Sequence, residues 1–320
     1  MLVNSLAEIA SVLQASRSLL VSTHIQPDGD AIGSLLALGL ALESSGRQVV
    51  MYCEGGVPQR LRFLVGADKV VSTLPKKAFD CIVALDCADR QRLPVSDEVL
   101  REAVLVNIDH HPTNNLFGRL NYVNAEAAAT GEIIFELLQE LGVHNDGAVA
   151  EALYVAISTD TGSFKYENTT EKTHLIAGRL LARGIKPGHI SSQVFDVKPL
   201  AAVMALRQAL STLTFSADGK VAWMTLTEKD LQQAGADNAD LEGLINYAKN
   251  IEGVEVGLLF RENDDGTVKV GFRSFQTDVA GIAALFGGGG HTRAAGCTIR
   301  GSLDEAVSRV IAAVAEVVKA

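Results

Sequence analysis

No stripe of lysine and arginine runs through this chain of 320 residues, and 28 basic against 38 acidic side chains leave a formal charge of −10. Long nucleic acid is normally held by a basic surface that releases counterions. Long DNA is therefore not expected as a partner, whereas a nucleotide-sized anion gripped by metals and one or two arginines is compatible with this balance. Aromatic residues are only 5% of the chain, too few for extended base stacking along a strand. Cys53, Cys81, Cys87 and Cys297 stand singly, without paired spacing, which argues for reduced, buried thiols in a cytoplasmic protein. No apolar stretch is long enough for a bilayer. Residues 1–20 place Glu8 within the first ten positions and show no small-residue cleavage site, so no secretory signal and no membrane partner are expected.

What is present is hydrophobic and periodic. Hydrophobic residues make up 48% of the chain, enough for a proper core and, at this length, for two domains. Apolar runs at Leu19–Thr23, Gln48–Cys53, Asp80–Leu85 and Val104–Ile108 read as strands, the third without polar alternation, as in a parallel sheet covered on both faces. Helices are expected at 31–44, 130–141 with Thr130 as cap, 148–158 and 171–183. Alternating strands and helices predict a doubly wound, mainly parallel α/β domain over 1–187. A helical connector over 188–211, with a helix from Ser191 to about Leu210, leads to a smaller α+β domain over 212–320. Its hairpins should turn at Asp218-Gly219 and Asp265-Gly266, and its helices should lie at 238–249, 279–286 and 303–318.

The chemistry sits at the ends of these runs. His24-x3-Asp28-x-Asp30 lies where a strand leads into a helix, and two carboxylates on an irregular turn can be aimed at one place. The plainer reading is a Pro-Asp-Gly turn with Asp30 capping the next helix. Asp86 follows a buried strand, at the sheet edge where doubly wound folds place their ligands. Asp109-His110-His111 is stronger, because adjacent imidazoles after a buried strand have little structural use. Asp160, after an apolar helix, offers one more oxygen. Carboxylates and imidazoles at this density suit two divalent cations, and phosphoester hydrolysis is the first hypothesis.

Taken in order, His-x3-Asp-x-Asp, a strand-end Asp, Asp-His-His and Asp-Thr-Gly at 160–162 resemble the four motifs of the DHH phosphoesterase superfamily. Gly287-Gly288-Gly289-Gly290-His291-Thr292-Arg293 and Gly271-Phe272-Arg273-Ser274 resemble segments of its associated C-terminal domain, so the likeness covers nearly the whole chain. The compact layout is most similar to the bacterial nanoRNase group, which cleaves short oligoribonucleotides and 3′-phosphoadenosine 5′-phosphate. That resemblance implies two cations, manganese first, with magnesium or cobalt as substitutes. His24, Asp28 and Asp86 would hold one, and Asp30, Asp86, His110 and Asp160 the other. His111 would face the substrate phosphate, with Asp109 orienting a histidine. Four carboxylates against two dications leave a nearly neutral site, so the phosphate needs further cationic partners. Arg273, Arg293 and His291 are the candidates, presented beside Ser274 and the close-approaching backbone of Gly288, Gly289 and Gly290. A flexible linker or lid hinge is the alternative for the glycines.

The implied product is 5′-mononucleotides, the implied partners are short RNA or nucleotides, and the likeness suggests a homodimer. A phosphodiesterase of linear or cyclic dinucleotide signals is the alternative. His144, His174 and His189 fall outside the motifs, Trp223 reads as core, and Cys87 as packing.

Overall fold

The computed structural model describes residues 4–143, 146–237, 239–241 and 243–318. They divide into two compact units, residues 1–197 and 198–320. Among the described residues no helix is long and apolar enough to cross a membrane.

The first unit runs α1 (Leu6–Ala15), β1 (Ser18–Thr23), α2 (Gly29–Ser44), β2 (Gln48–Tyr52), β3 (Cys81–Leu85), α3 (Asp97–Arg101), β4 (Val104–Asp109), β5 (Leu120–Val123), α4 (Thr130–Glu140), α5 (Gly147–Asp160), α6 (Glu171–Leu181) and α7 (Pro187–Ser191). All five strands are parallel, in the order β2-β1-β3-β4-β5. Every residue of β3 is buried, as its unbroken apolar run requires of a strand covered on both faces. One core, with Leu19, Val83 and Leu153, lies against one side of the sheet, and a second, with Leu20, Ile82 and Leu93, against the other. The edge strand β5 escapes the sequence because it is four residues long with Asn121 inside it.

Helices α2 and α5 pack so closely that side chains are excluded. A Cβ on Gly33 would lie 2.5 Å from the Ala152 carbonyl oxygen and 2.8 Å from the Ala156 Cβ. Only hydrogen fits, and the same contact sets the start of α2 beside the end of α5. Thr130 does not cap α4. Ala129 occupies the N-cap position, and Thr130 is the first helical residue, with its hydroxyl turned to Asp86 at 3.0 Å.

The second unit contains α8 (Leu200–Ser211), β6 (Thr214–Phe215), β7 (Val221–Leu226), α9 (Glu228–Ala234), α10 (Ile245–Lys249), β8 (Val256–Glu262), β9 (Thr267–Ser274), α11 (Val279–Ala284), β10 (Gly289–His291), β11 (Ala294–Arg300) and α12 (Leu303–Val318). Its mixed sheet runs β10-β11-β9-β8-β7-β6, with only β7 and β8 parallel. Both expected hairpins form, Gly219 and Gly266 taking the positive φ their turns demand. Two helical expectations fail. The helix from Ser191 to Leu210 is interrupted by a π-type turn at Ser192–Asp196 and restarts only after Pro199, whose ring disfavours helix in the preceding residue. Of 238–249, Asn238 and Glu242 lie outside the described residues, Ala239–Leu241 is a 3-10 turn, and helix begins at Ile245, after Gly243 at φ 80°.

The second half of the glycine run is built into sheet, after Gly287 in a turn and Gly288. Gly289, Gly290 and His291 pair with Gly296, Ala295 and Ala294, which leaves Thr292 and Arg293 as the turn of a tight hairpin. A Cβ on Gly288 would collide with the Gly296 carbonyl, and one on Gly290 would lie 2.5 Å from that of Ala294.

All four cysteines are buried and free. Burial pushes the thiols of Cys81 and Cys87 up to about 12 and those of Cys53 and Cys297 to about 11. Raised values keep them protonated and unreactive at pH 8. Native protein should therefore leave Ellman's reagent uncoloured until denaturant is added, and prompt reaction of the native state would contradict this burial.

Candidate metal centre

Three strand ends and three helix ends converge at the carboxyl edge of the parallel sheet. Strand order reverses between β1 and β3, the place where doubly wound folds take ligands. The residues leaving these two strands are His24 and Asp86, with side-chain atoms 3.5 Å apart.

Asp28 is the N-cap of α2 and accepts the Ala31 N–H at 3.0 Å, so the capping role considered for Asp30 belongs to Asp28. Asp30 is 1% exposed. Its carboxylate accepts the backbone N–H groups of Thr130 at 2.6 Å and Gly131 at 2.9 Å, and the Ser34 hydroxyl at 3.1 Å. The amino end of α4, with its positive dipole, thus braces a charge on α2. Asp86 is 2% exposed and holds φ 53°, a left-handed conformation that aspartate tolerates better than most residues. His110 Nε2 lies 3.7 Å from Asp86, 3.8 Å from Asp30 and 3.4 Å from Asp160, while its Nδ1 faces the Ala127 carbonyl at 3.1 Å.

Three interlocked groups of ligand atoms result, each within 4.8 Å: His24, Asp28 and Asp86; Asp30, His110 and Asp160; and Asp86, His110 and His111. Asp86 and His110 belong to two groups each. The electrostatics are those of crowded carboxylates. Burial, then the charges of Asp86, Asp160 and Asp28, push Asp30 well above the carboxylate range, and Asp160 rises to about 6 mainly through burial, with Asp86 and Asp28 adding to it. Asp86 is also opposed by burial, but the contact with His24 and the charges of the three histidines outweigh it and hold its carboxyl low. Carboxylates that crowd and raise one another in this way call for cations, and carboxylate with imidazole is the donor set of manganese, magnesium or zinc. These residues fit two divalent ions.

Asp109 stands behind the third of these groups and holds its His111. His111 Nδ1 is 2.7 Å from Asp109 Oδ1, which also accepts the His110 N–H at 2.8 Å, and Asn114 donates to Oδ2 at 2.6 Å. The bond to Asp109 raises His111 to about 9, against the opposing effect of burial. Fully buried Asp109 thereby aims an imidazolium toward the cluster.

The residues expected to bind substrate gather at one edge of the second unit's sheet. Arg273 and Ser274 end β9 beside the β10–β11 turn, and the Ser274 N–H donates to the Arg293 carbonyl at 3.2 Å. His291 and Arg293 are exposed, and the Ser274 hydroxyl donates to the Thr277 carbonyl. Among the histidines set aside, His174 stacks on Phe164 with centroids 5.4 Å apart and His189 meets Phe63 edge-on, while His144 lies outside the described residues. Trp223 is half-buried against the second core. Reading the sequence missed Thr130, Asn114 and Arg92, polar residues outside the motif strings that touch Asp86, Asp109 and His24.

Residues 18–157 match the N-terminal domain of the DHH family, and residues 218–320 match the DHHA1 domain. A bifunctional oligoribonuclease and PAP phosphatase of Thermus thermophilus is 37% identical, over 96% of this chain and 93% of its own. Among solved structures, an exopolyphosphatase-related protein from Bacteroides fragilis superposes with a TM-score of 0.90 at 26% identity, covering 97% of this chain and 95% of its own. RecJ of Thermus thermophilus in complex with Mn2+ shares the fold, with a TM-score of 0.53 at 14% identity over 100% of this chain and 55% of its own. Motif order, strand-end geometry and similarity along nearly the full length agree: the chain belongs to the DHH family of phosphoesterases, with a DHHA1 domain at its carboxyl end.

Proposed function

We propose that this protein is a two-metal phosphoesterase that hydrolyses short oligoribonucleotides to 5′-mononucleotides and also removes phosphate from 3′-phosphoadenosine 5′-phosphate. The observation that carries the reading is the set of interlocked donor groups around Asp86 and His110. The activities named for the Thermus thermophilus relative support the substrate class. In this reading residues 1–187 form the catalytic domain, 188–211 a linker and 212–320 the substrate-binding domain.

His24, Asp28 and Asp86 would hold one cation, and Asp30, Asp86, His110 and Asp160 the other, manganese being our choice. When bound, such a pair lowers the pKa of water and neutralises phosphate oxygens. The chain's own contribution is geometric and acid–base. Asp86 keeps the two donor groups in register, and the start of α4 fixes Asp30 through two backbone hydrogen bonds. His111, locked by Asp109, is placed to give its proton to the departing ribose oxygen, and the Asp109 carboxylate stabilises the charge it carries before that transfer. Arg273, Ser274, Gly288, Gly289, Gly290, His291 and Arg293 would receive the phosphates, the guanidinium of Arg293 as a two-pronged donor.

Purified protein with Mn2+ should release mononucleotides fastest from the shortest RNAs in a series from dinucleotide to roughly twenty nucleotides, the size range an acidic surface tolerates. The bisphosphate, linear and cyclic dinucleotides and pyrophosphate complete the panel. Preference for pyrophosphate or a cyclic dinucleotide would displace the reading. Arg293→Ala should raise KM about 10- to 100-fold with a smaller loss in kcat, because it removes binding made alike in ground and transition states.

A further inference from the structure

Arg92 has no assigned role, yet its guanidinium Nη2 lies 2.9 Å from Nδ1 of His24. The placement is built, not accidental. Asp89 caps the 3-10 turn Arg90–Arg92 by accepting the Gln91 N–H at 2.9 Å, and the Arg92 carbonyl accepts the Ile25 N–H at 2.9 Å, which ties this loop to the residue after His24. Neighbouring Arg90 is consumed by the carbonyls of Leu93 and Val95 and by Asp97. Arg92 is half-buried and pairs with no carboxylate among the described residues, although four carboxylates crowd the adjoining centre.

Its present partner is one it cannot keep once His24 binds a cation. Nδ1 of His24 also lies 2.8 Å from the Ile25 carbonyl, and a ring nitrogen carries either one hydrogen or one lone pair. It satisfies the carbonyl or the guanidinium, never both. Nε2 is the nitrogen turned to Asp86. A neutral imidazole that gives its Nε2 lone pair to a cation must carry its hydrogen on Nδ1, where it donates to Ile25. The guanidinium then faces a donor and has lost its acceptor, beside a site whose incoming ligand is an anion.

We propose that Arg92 is a phosphate-binding residue, freed by cation binding at His24 to grip phosphoryl oxygens of the nucleotide, a role that rests on the phosphoesterase reading above. It places a fork of donors in the same unit as the metal ligands, independent of the second-unit arginines.

The test uses the full chain loaded with Mn2+ and titrated with adenosine 5′-monophosphate by calorimetry, with Mn2+ affinity read separately by electron paramagnetic resonance. Arg92→Met, of similar length but uncharged, should weaken nucleotide binding about 10- to 100-fold, and Arg92→Lys should recover only part because a point charge lacks the fork. Mn2+ affinity should change by less than about tenfold, the lower bound for losing a residue that orients a ligand. Wild-type-like nucleotide binding by Arg92→Met overturns the proposal. So does a loss of Mn2+ affinity with nucleotide binding intact at saturating Mn2+, which would make Arg92 a brace for His24. If the wild-type loaded protein binds no mononucleotide, the phosphoesterase reading falls as well, and that failure is visible without any variant.

Discussion

Asp86→Asn is expected to lower kcat by about three to five orders of magnitude while leaving the fold intact. Asparagine accepts the left-handed backbone that Asp86 adopts at φ 53°, so no strain is added. It retains an oxygen for the Thr130 hydroxyl, which donates at 3.0 Å. What it lacks is the charge shared by two of the donor groups and faced by His24, His110 and His111. Without that charge the histidines lose the anion that orients them, and Asp30 and Asp160 stand as separate acids. Single-turnover rates in excess Mn2+, with the number of bound Mn2+ ions counted by paramagnetic resonance, check this. Two ions bound and an undiminished rate in the variant would remove Asp86 from the centre.

The second large effect comes from a residue that touches no ligand. Gly33→Val should destabilise the first unit by about 3 kcal/mol or more, because the added carbons must displace the Ala152 carbonyl and the Ala156 methyl across the α2–α5 contact. For a unit of this size the transition should fall by about 6 to 12 °C in differential scanning calorimetry. Mn2+ binding should weaken in the surviving folded protein, since Asp30 rides on α2 and Asp160 ends α5. Wild-type stability would show that the helices are further apart than described.

The parts of this molecule that were legible in its sequence are those written in local pattern. Buried strands announce themselves as unbroken apolar runs, and each metal-type donor stands just past one of them or at a helix end, so the doubly wound fold and the gathering of His24, Asp28, Asp30, Asp86, His110 and Asp160 could be anticipated. Pairing between distant segments could not. That Asp30 serves the start of α4 a hundred residues on, and that Thr130 faces Asp86 instead of capping its own helix, depends on which elements lie side by side. Arg92 was invisible for the same reason, since the carbonyl tie that brings it to His24 spans 67 positions of sequence, from 25 to 92. The broken helix before α8 was readable in principle, because Pro199 was in plain view, but the apolar spacing around it masked the stop.

The hairpin of β10 and β11 changes what a glycine run means here. Consecutive glycines lose more backbone freedom on ordering than any other residues. In this protein that loss falls once, when the strands pair, and is not repeated each time a ligand arrives. The segment is therefore thin without being loose: an anion received there, as proposed above, would meet already oriented main chain, and its affinity would not be eroded by having to freeze a floppy loop.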